Sequence, residues 1–293
     1  MKILITGSRG QLGTEIQKQL SEMKSPIGPI PACYEGADIT AVDIDVLDLT
    51  KKHDVMNAVT DGRFDLVINC AAMTNVDGCE TDMDSAFRAN ALAPGYLAEA
   101  CEESGAKLVH VSTDYVFAGD GTRPYTECDA PAPKTAYGAT KLLGERYVSE
   151  RCRRHFIVRT AWLYSLYGKN FVKTIIRAAR KNGKVTVVND QVGNPTNAAD
   201  LAHHILLLGA GDEYGLYHCT NNGICSWFEF ASETLRAAVP EAQCLPCTSE
   251  EYPSRTPRPK YSALDNMMLR NTCGDHMRDW KEALSDNLKD LEV

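Results

Sequence analysis

A basic excess is the first thing missing. The 293 residues carry 31 Lys and Arg against 39 Asp and Glu, a formal net charge of -8. That balance argues against nucleic-acid binding but leaves room for a local basic pocket around a small anion. Long apolar runs are missing as well: stretches such as "HHILLLGAG" at 203–211 fall well short of the roughly 20 residues of a membrane span. Met1 leads straight into "KILITG", with no apolar h-region and cleavage site, so no secretory signal and a cytoplasmic location are expected. Zinc-like spacing is absent too. The 11 cysteines are scattered and odd in number, and without an export signal they read as free thiols. Cys244 and Cys247 form a lone C-x-x-C with no second pair to complete a metal site. No internal repeat, low-complexity tract or long charge run occurs.

What is present is alternation. "KILITG" (2–7), "ITAVDI" (39–44), "LVINCAA" (66–72) and "LVHVSTDYVF" (108–117) read as strands. "GQLGTEIQKQLSEM" (10–23) has Leu12, Ile16 and Leu20 at helical spacing. "MDSAFRANALAPGYLAEACEESG" (83–105) reads as one helix ending on Gly105. Strands alternating with helices predict an α/β fold, a Rossmann-like doubly wound parallel sheet. The segment 24–36, with three prolines and two glycines, reads as an enlarged loop that obscures where an adenine pocket would lie. After about residue 160 the pattern becomes irregular, with "WLYSLYGKNF" (162–171) and "YPSRTPRPKYS" (252–262). We therefore expect residues 1–160 to form a dinucleotide-binding domain, completed by about 185–210. Residues 161–293 are expected to be mostly a smaller, irregular substrate-binding region.

"GSRGQLG" places Gly7, Gly10 and Gly13 between the first strand and its helix. There Gly7 permits a tight turn, Gly10 lets backbone approach a pyrophosphate, and Gly13 lets helix and strand pack closely. Phosphates would sit at the helix N-terminus, where unpaired N–H groups favour anions. Glycine spacing alone is also compatible with an ordinary βα turn. The second strand runs into Asp43, whose carboxylate would accept from adenosine ribose hydroxyls and repel a 2′-phosphate. No Lys or Arg follows until Lys51, so NADH is favoured over NADPH, with Asp45 and Asp48 leaving the register open.

"KTAYGATKLLGER" (134–146) sets Tyr137 four residues before Lys141, on one helical face. A phenol near pKa 10 and an amine near 10.4 do no proton chemistry at neutrality alone. Spacing leaves two readings open, a surface contact or a coupled acid–base pair.

With the glycine loop, "STDYVFAG" (112–119) and "YGATK" (137–141), the chain resembles the extended short-chain dehydrogenase/reductases. Within them it is similar to the dTDP-4-dehydrorhamnose reductase family, through "NCAAMTNVDGCE" (69–80), "RTAWLYSLYGKNF" (159–171), "VVNDQVGNPT" (187–196), "SWFEFA" (226–231) and "RPKYSAL" (258–264). The resemblance implies NADH- or NADPH-dependent reduction of a 4-keto nucleotide sugar, with Tyr137 as proton donor, Lys141 as its partner and Thr113 as the hydroxyl at the carbonyl. Strand alternation puts Thr113 on a different face from Ser112. By the same likeness Gly7, Gly10, Gln11, Leu12, Gly13, Asp48, Leu49, Ala71, Ala72, Met73, Thr74, Tyr137 and Lys141 would line the coenzyme, with Lys141 holding the nicotinamide ribose. Thr113, Asp114, Trp162, Asn170 and Arg258 would meet the substrate, with Arg255 and Arg258 as alternatives for the diphosphate or as solvated charges. Lys141 is expected to lower the Tyr137 pKa, and Gly138 to let the ring pack on the coenzyme. Some relatives join as dimers through a divalent metal. Glu15 could be one such ligand, but "NPTNAADLAHH" offers only Asp200 nearby, so no metal is expected, and a monomer or homodimer. A related dehydratase would carry an acid where this chain has Tyr115. An epimerase, or a non-catalytic regulatory subunit such as methionine adenosyltransferase β, remains an alternative.

Overall fold

In the computed structural model, which describes residues 1–291, the N-terminal alternation closes into a parallel sheet. The elements run β1 (Lys2–Thr6), α1 (Gln11–Glu22), β2 (Asp38–Val42), α2 (Lys52–Gly62), β3 (Leu66–Asn69), α3 (Val76–Thr81), α4 (Met83–Phe87), α5 (Ala93–Ser104), β4 (Lys107–Thr113), α6 (Ala136–Arg151) and β5 (His155–Thr160). After them come α7 (Phe171–Asn182), β6 (Lys184–Val188), α8 (Ala198–Ala210), β7 (Gly215–His218), α9 (Trp227–Ala238), β8 (Gln243–Cys247), α10 (Met267–Asn271) and α11 (Trp280–Lys289). The six-stranded sheet has the order β7-β5-β4-β3-β1-β2. All its neighbours are parallel, and the strand order reverses between β1 and β3. Such a reversal opens a crevice at the strand carboxyl ends, where ligands of doubly wound sheets bind.

Period-2 alternation explains the layering. Ile3 and Ile5 pack with Ile16 of α1 and Leu206 of α8, whereas Leu4 packs with Val55 of α2 and Leu97 of α5. Both sheet faces are thus covered, as an all-parallel sheet requires.

Local chemistry corrects several sequence expectations. The strand expected over 108–117 stops at Thr113, because Asp114–Val116 forms a 3₁₀ turn whose Tyr115 N–H donates to Thr113 Oγ1. The single helix expected over 83–105 is interrupted by a wide turn at Arg88–Leu92 before Gly105 ends it in the left-handed region, at φ 78°. The segment 24–36 is folded rather than loose. It forms a small hairpin and a 3₁₀ turn, and the fully buried Tyr34 donates to Leu206 O of α8 at 2.8 Å. Ser25 also meets His203 of α8, so the segment packs on α8 and does not obscure the crevice. The sheet takes its sixth strand from Gly215–His218, just beyond the expected 185–210.

The C-terminal region has its own small core. Strands β6 and β8 pair in parallel, and Ile176, Phe230 and Trp280 pack together beside them. A strap then returns to the sheet end, where Tyr261 bridges to Asp120 and Val192. All 11 cysteines are free. Among the described residues, no helix is long and apolar enough to cross a membrane, and no cluster of three or more His, Cys, Asp or Glu is placed to hold a metal.

Candidate active site

The crevice floor is built by backbone. Gly7 has φ +65°, and a Cβ there would lie 2.7 Å from Ala71 N, so only glycine lets β1 turn so close to the segment after β3. Helix α1 opens on Gly10 with no side-chain cap, leaving its leading N–H groups without a side-chain partner, an arrangement that suits phosphate. At the end of β2, Asp43 accepts the N–H groups of Ile44 at 2.9 Å and Arg9 at 3.2 Å. Burial pushes its carboxyl up, but these bonds outweigh it and hold the group below the ordinary range. A glycine turn that a side chain would fill, an uncapped helix start and an ionised carboxylate fit a dinucleotide.

The other residues expected at the coenzyme are held by different means. Met73 is pinned through both N and O by the Asn90 side chain at 2.8 and 3.0 Å. Asn90 sits in the wide turn, a local irregularity often found at functional sites, and it also reaches Thr140 of α6. Ala71 N donates to Asn69. Asp48 is held down by the Thr50 hydroxyl and N–H. Gln11 accepts from Ser165 and Asn170, Leu12 is core, Leu49 packs under α2, Ala72 is half-buried, and Thr74 is exposed.

Helix α6 carries the expected pair, Tyr137 and Lys141. Thr135 caps it, accepting from Gly138 N at 3.0 Å, and Glu80 accepts from Ala136 N. The next residue, Tyr137, is buried, and the Thr113 hydroxyl is near enough to pull its pKa down. Tyr115 packs edge-on to its ring, centroids 5.4 Å apart. Gly138 has a reason other than the one expected: a Cβ there would stand 2.1 Å from Tyr115 O. It lets α6 touch the turn after β4.

The expected pull of Lys141 on Tyr137 is not the dominant effect. Burial comes first and holds the phenol above its ordinary value, against the Thr113 bond and with Asp114 and Tyr115 adding to the rise. Lys141, almost wholly buried, donates from Nζ to Val111 O at 2.6 Å and lies 3.4 Å from His110 Nε2. Burial brings this amine down to about 8, with Glu145 and Cys70 opposing.

Thr113 and Ser112 separate as alternation predicted. Ser112 donates to Glu145 at 2.5 Å, inside the buried Glu145–Arg159 pair. Thr113 donates to Asp114 Oδ1 at 2.9 Å. Burial raises Asp114 to about 6 against bonds from Ser262 and Thr113.

The C-terminal residues are more dispersed. Trp162 has φ 46°, a strained value for a bulky residue. Its ring stacks on Trp227 at 3.6 Å and covers Gly193. Asn170 is committed elsewhere: its Oδ1 caps α7 and its Nδ2 donates to Gln11 and Ser165 O. Arg258 is paired with Asp77 at 3.1 Å and bonded to Tyr115, while Arg255 is exposed. Of the two acids considered for a metal, Asp200 is held by Arg278 and Asn221. Glu15 is raised to about 7, mainly by burial. Sequence reading missed Arg9, Asn69, Asp77, Asn90 and His110. Each matters through a partner at least 17 residues away, and only the polar side chains in "LVINCAA" and "LVHVST" hint at them.

The whole chain, residues 1–293, matches the family described as the RmlD substrate binding domain. A spore coat polysaccharide biosynthesis protein of Bacillus subtilis (strain 168) is 38% identical, covering 99% of this chain and 97% of its own length. The crystal structure of a dTDP-4-dehydrorhamnose reductase of Clostridium acetobutylicum superposes with a TM-score of 0.93 at 45% identity, covering 99% of both chains. That of Bacillus anthracis, in complex with NADP, gives a TM-score of 0.90 at 42% identity over 98% of both. The chain belongs to the RmlD family, that of the dTDP-4-dehydrorhamnose reductases.

Proposed function

We propose that the chain is an NAD(P)H-dependent oxidoreductase that reduces the C4 keto group of dTDP-4-dehydro-L-rhamnose to give dTDP-L-rhamnose for cell-surface polysaccharide. The observation that carries this reading is the buried Tyr137 of α6, its hydroxyl next to Thr113 at the carboxyl end of β4, beside the crevice whose floor is the glycine loop. A bound nicotinamide dinucleotide supplies the hydride. Thr113 holds the substrate carbonyl, and the Tyr137 O–H breaks as its proton passes to the forming C4 alkoxide, work worth about 10²–10⁴-fold in rate. Burial keeps the phenol protonated and able to donate. Lys141 stands behind it to restore the proton. Tyr115 occupies the place where a dehydratase needs an acid, which favours plain reduction.

Asp43 favours NADH, while Arg9, its guanidinium 3.6 Å away, makes NADPH acceptable. Residues 1–160 with the α8–β7 segment serve the dinucleotide, and most of 161–293 serves the nucleotide sugar. Trp162 forms a wall for the sugar, and Arg258 exchanges Asp77 for the diphosphate. The enzyme works in the cytoplasm, without a metal, as a monomer or homodimer.

The test is NADH absorbance with purified protein and dTDP-4-dehydro-L-rhamnose, with the product identified chromatographically. We expect substrate-dependent oxidation yielding dTDP-L-rhamnose. No oxidation with either NADH or NADPH would overturn the proposal.

A further inference from the structure

Behind Lys141 lies a buried chain of polar groups that the reduction just described does not use. Thr6 donates to Asn69 Oδ1 at 2.8 Å, and the Ala71 backbone N–H donates to the same oxygen at 3.1 Å. Asn69 Nδ2 then lies 3.0 Å from His110 Nδ1, and His110 Nε2 lies 3.4 Å from Lys141 Nζ. Asn69, His110 and Lys141 are each at most 2% exposed.

Donor and acceptor counting fixes the protons along this chain. A backbone N–H can only donate, so Ala71 holds the Asn69 oxygen on its own side and turns the amide nitrogen toward His110. Nδ1 of His110 must then accept, and the ring proton resides on Nε2. Flipping Asn69 would strand the Ala71 N–H. An imidazolium is disfavoured, since burial and then the neighbouring Lys141 push His110 well below its ordinary value. The group facing Nζ is therefore an N–H.

An ammonium has three donors and no lone pair, so an N–H is a poor neighbour for it. A neutral amine can donate to Val111 O and accept from His110. We propose that His110 is a positioning residue for Lys141: it presents a donor rather than a lone pair to Nζ, and so favours the amine over the ammonium. This rests on the reading of Lys141 as the lysine that serves the coenzyme. The other titratable groups around Nζ are few. Cys70, after β3, has its thiol pushed up to about 12 by burial. Glu145, one turn along α6, is already paired with Arg159 of β5 at 2.6 Å, and Tyr137 lies one turn back. A side chain that gives up its proton readily can restore the phenol after each turnover and take a new proton itself.

Two measurements test the assignment, and neither depends on the sugar substrate. The ¹⁵N shifts of the His110 ring in the intact protein report its tautomer directly: a proton on Nε2 is expected, and one on Nδ1 overturns the proposal. The NADH dissociation constant, followed by fluorescence from pH 6.5 to 10, reports Lys141 in solution. Wild type is expected to lose affinity through a midpoint of about 8, and Lys141→Met to lack that step. In His110→Gln the amide oxygen can face Nζ and accept from the ammonium, so the midpoint is expected to rise by about one pH unit. A His110→Gln curve that superimposes on wild type, or moves down, overturns the proposal and reduces His110 to packing. Loss of NADH binding in wild type itself would count against the coenzyme reading and leave the tautomer result standing. Binding without sugar reduction would count against the reductase reading alone.

Discussion

Gly7 and Gly193 meet their neighbours at the same distance and for different reasons. A Cβ on either would lie 2.7 Å from another atom, but at Gly7 that atom is the Ala71 backbone nitrogen and at Gly193 it is the Trp162 indole. The side of the cleft proposed for the coenzyme is shaped by backbone against backbone, between strand ends that the sheet fixes. The side proposed for the substrate is shaped by side chain against side chain, with Trp162 laid between Gly193 and Trp227. A turn locked by main chain cannot give way, whereas an indole can tilt. The first kind of surface suits a ligand part that never varies, such as a pyrophosphate. The second can be retuned to a particular sugar without disturbing the sheet.

The proposed chemistry falls to Tyr137, at the seam between the two, and the largest effect is expected there. Tyr137→Phe removes the proposed proton donor while keeping the ring packed against Tyr115. Turnover should fall about 10²–10⁴-fold, with the NADH dissociation constant within about twofold of wild type. Steady-state rates and fluorescence titration check this together, and unchanged turnover would remove Tyr137 from the acid role.

The two glycines then break the comparison directly. Gly7→Ala should cost on the order of 3 kcal/mol, because a left-handed backbone and a main-chain collision both oppose it. NADH affinity should fall with it, as urea unfolding and titration would register. Gly193→Ala should cost only about 1 kcal/mol, since the far side of a stacked ring can shift. Its mark should be a several-fold rise in KM for the sugar with NADH binding unmoved. Equal losses of stability in both variants would mean that the two walls are alike in stiffness.

The same contrast explains what the sequence made legible. The βα turn, the Tyr137–Lys141 spacing and the choice of Thr113 over Ser112 follow from neighbours within a few residues, where periodicity and turn chemistry act. Asp77 with Arg258, Asn69 with His110 and Arg9 with Asp43 are brought together by the sheet order, across 181, 41 and 34 residues. No local pattern encodes such pairs. The sign of the Tyr137 shift failed for a related reason: spacing reveals the nearby ammonium, but not how completely the phenol is buried. The strap at 252–262 was legible as proline-rich but not as a latch, because its partners are Asp77 and Tyr115 on the opposite half of the molecule.

Arg9 gives the smallest and most discriminating effect. Its guanidinium pairs with Asp45 and lies 3.6 Å from Asp43, with the side chain 65% exposed. An exposed pair adds little to stability, so Arg9→Ala should unfold almost as wild type does. Coenzyme choice is a different matter, because the charge stands beside the carboxylate that would face a ribose 2′-phosphate. Without Arg9, Asp43 repels that phosphate unscreened, and NADPH affinity should fall up to about tenfold at low salt. NADH carries no phosphate there and should bind nearly as before. The ratio of the two dissociation constants is therefore the quantity to measure, and raising the salt should shrink the change. If both coenzymes weaken equally, Arg9 serves the shared pyrophosphate, and the choice between them lies with Asp43 alone.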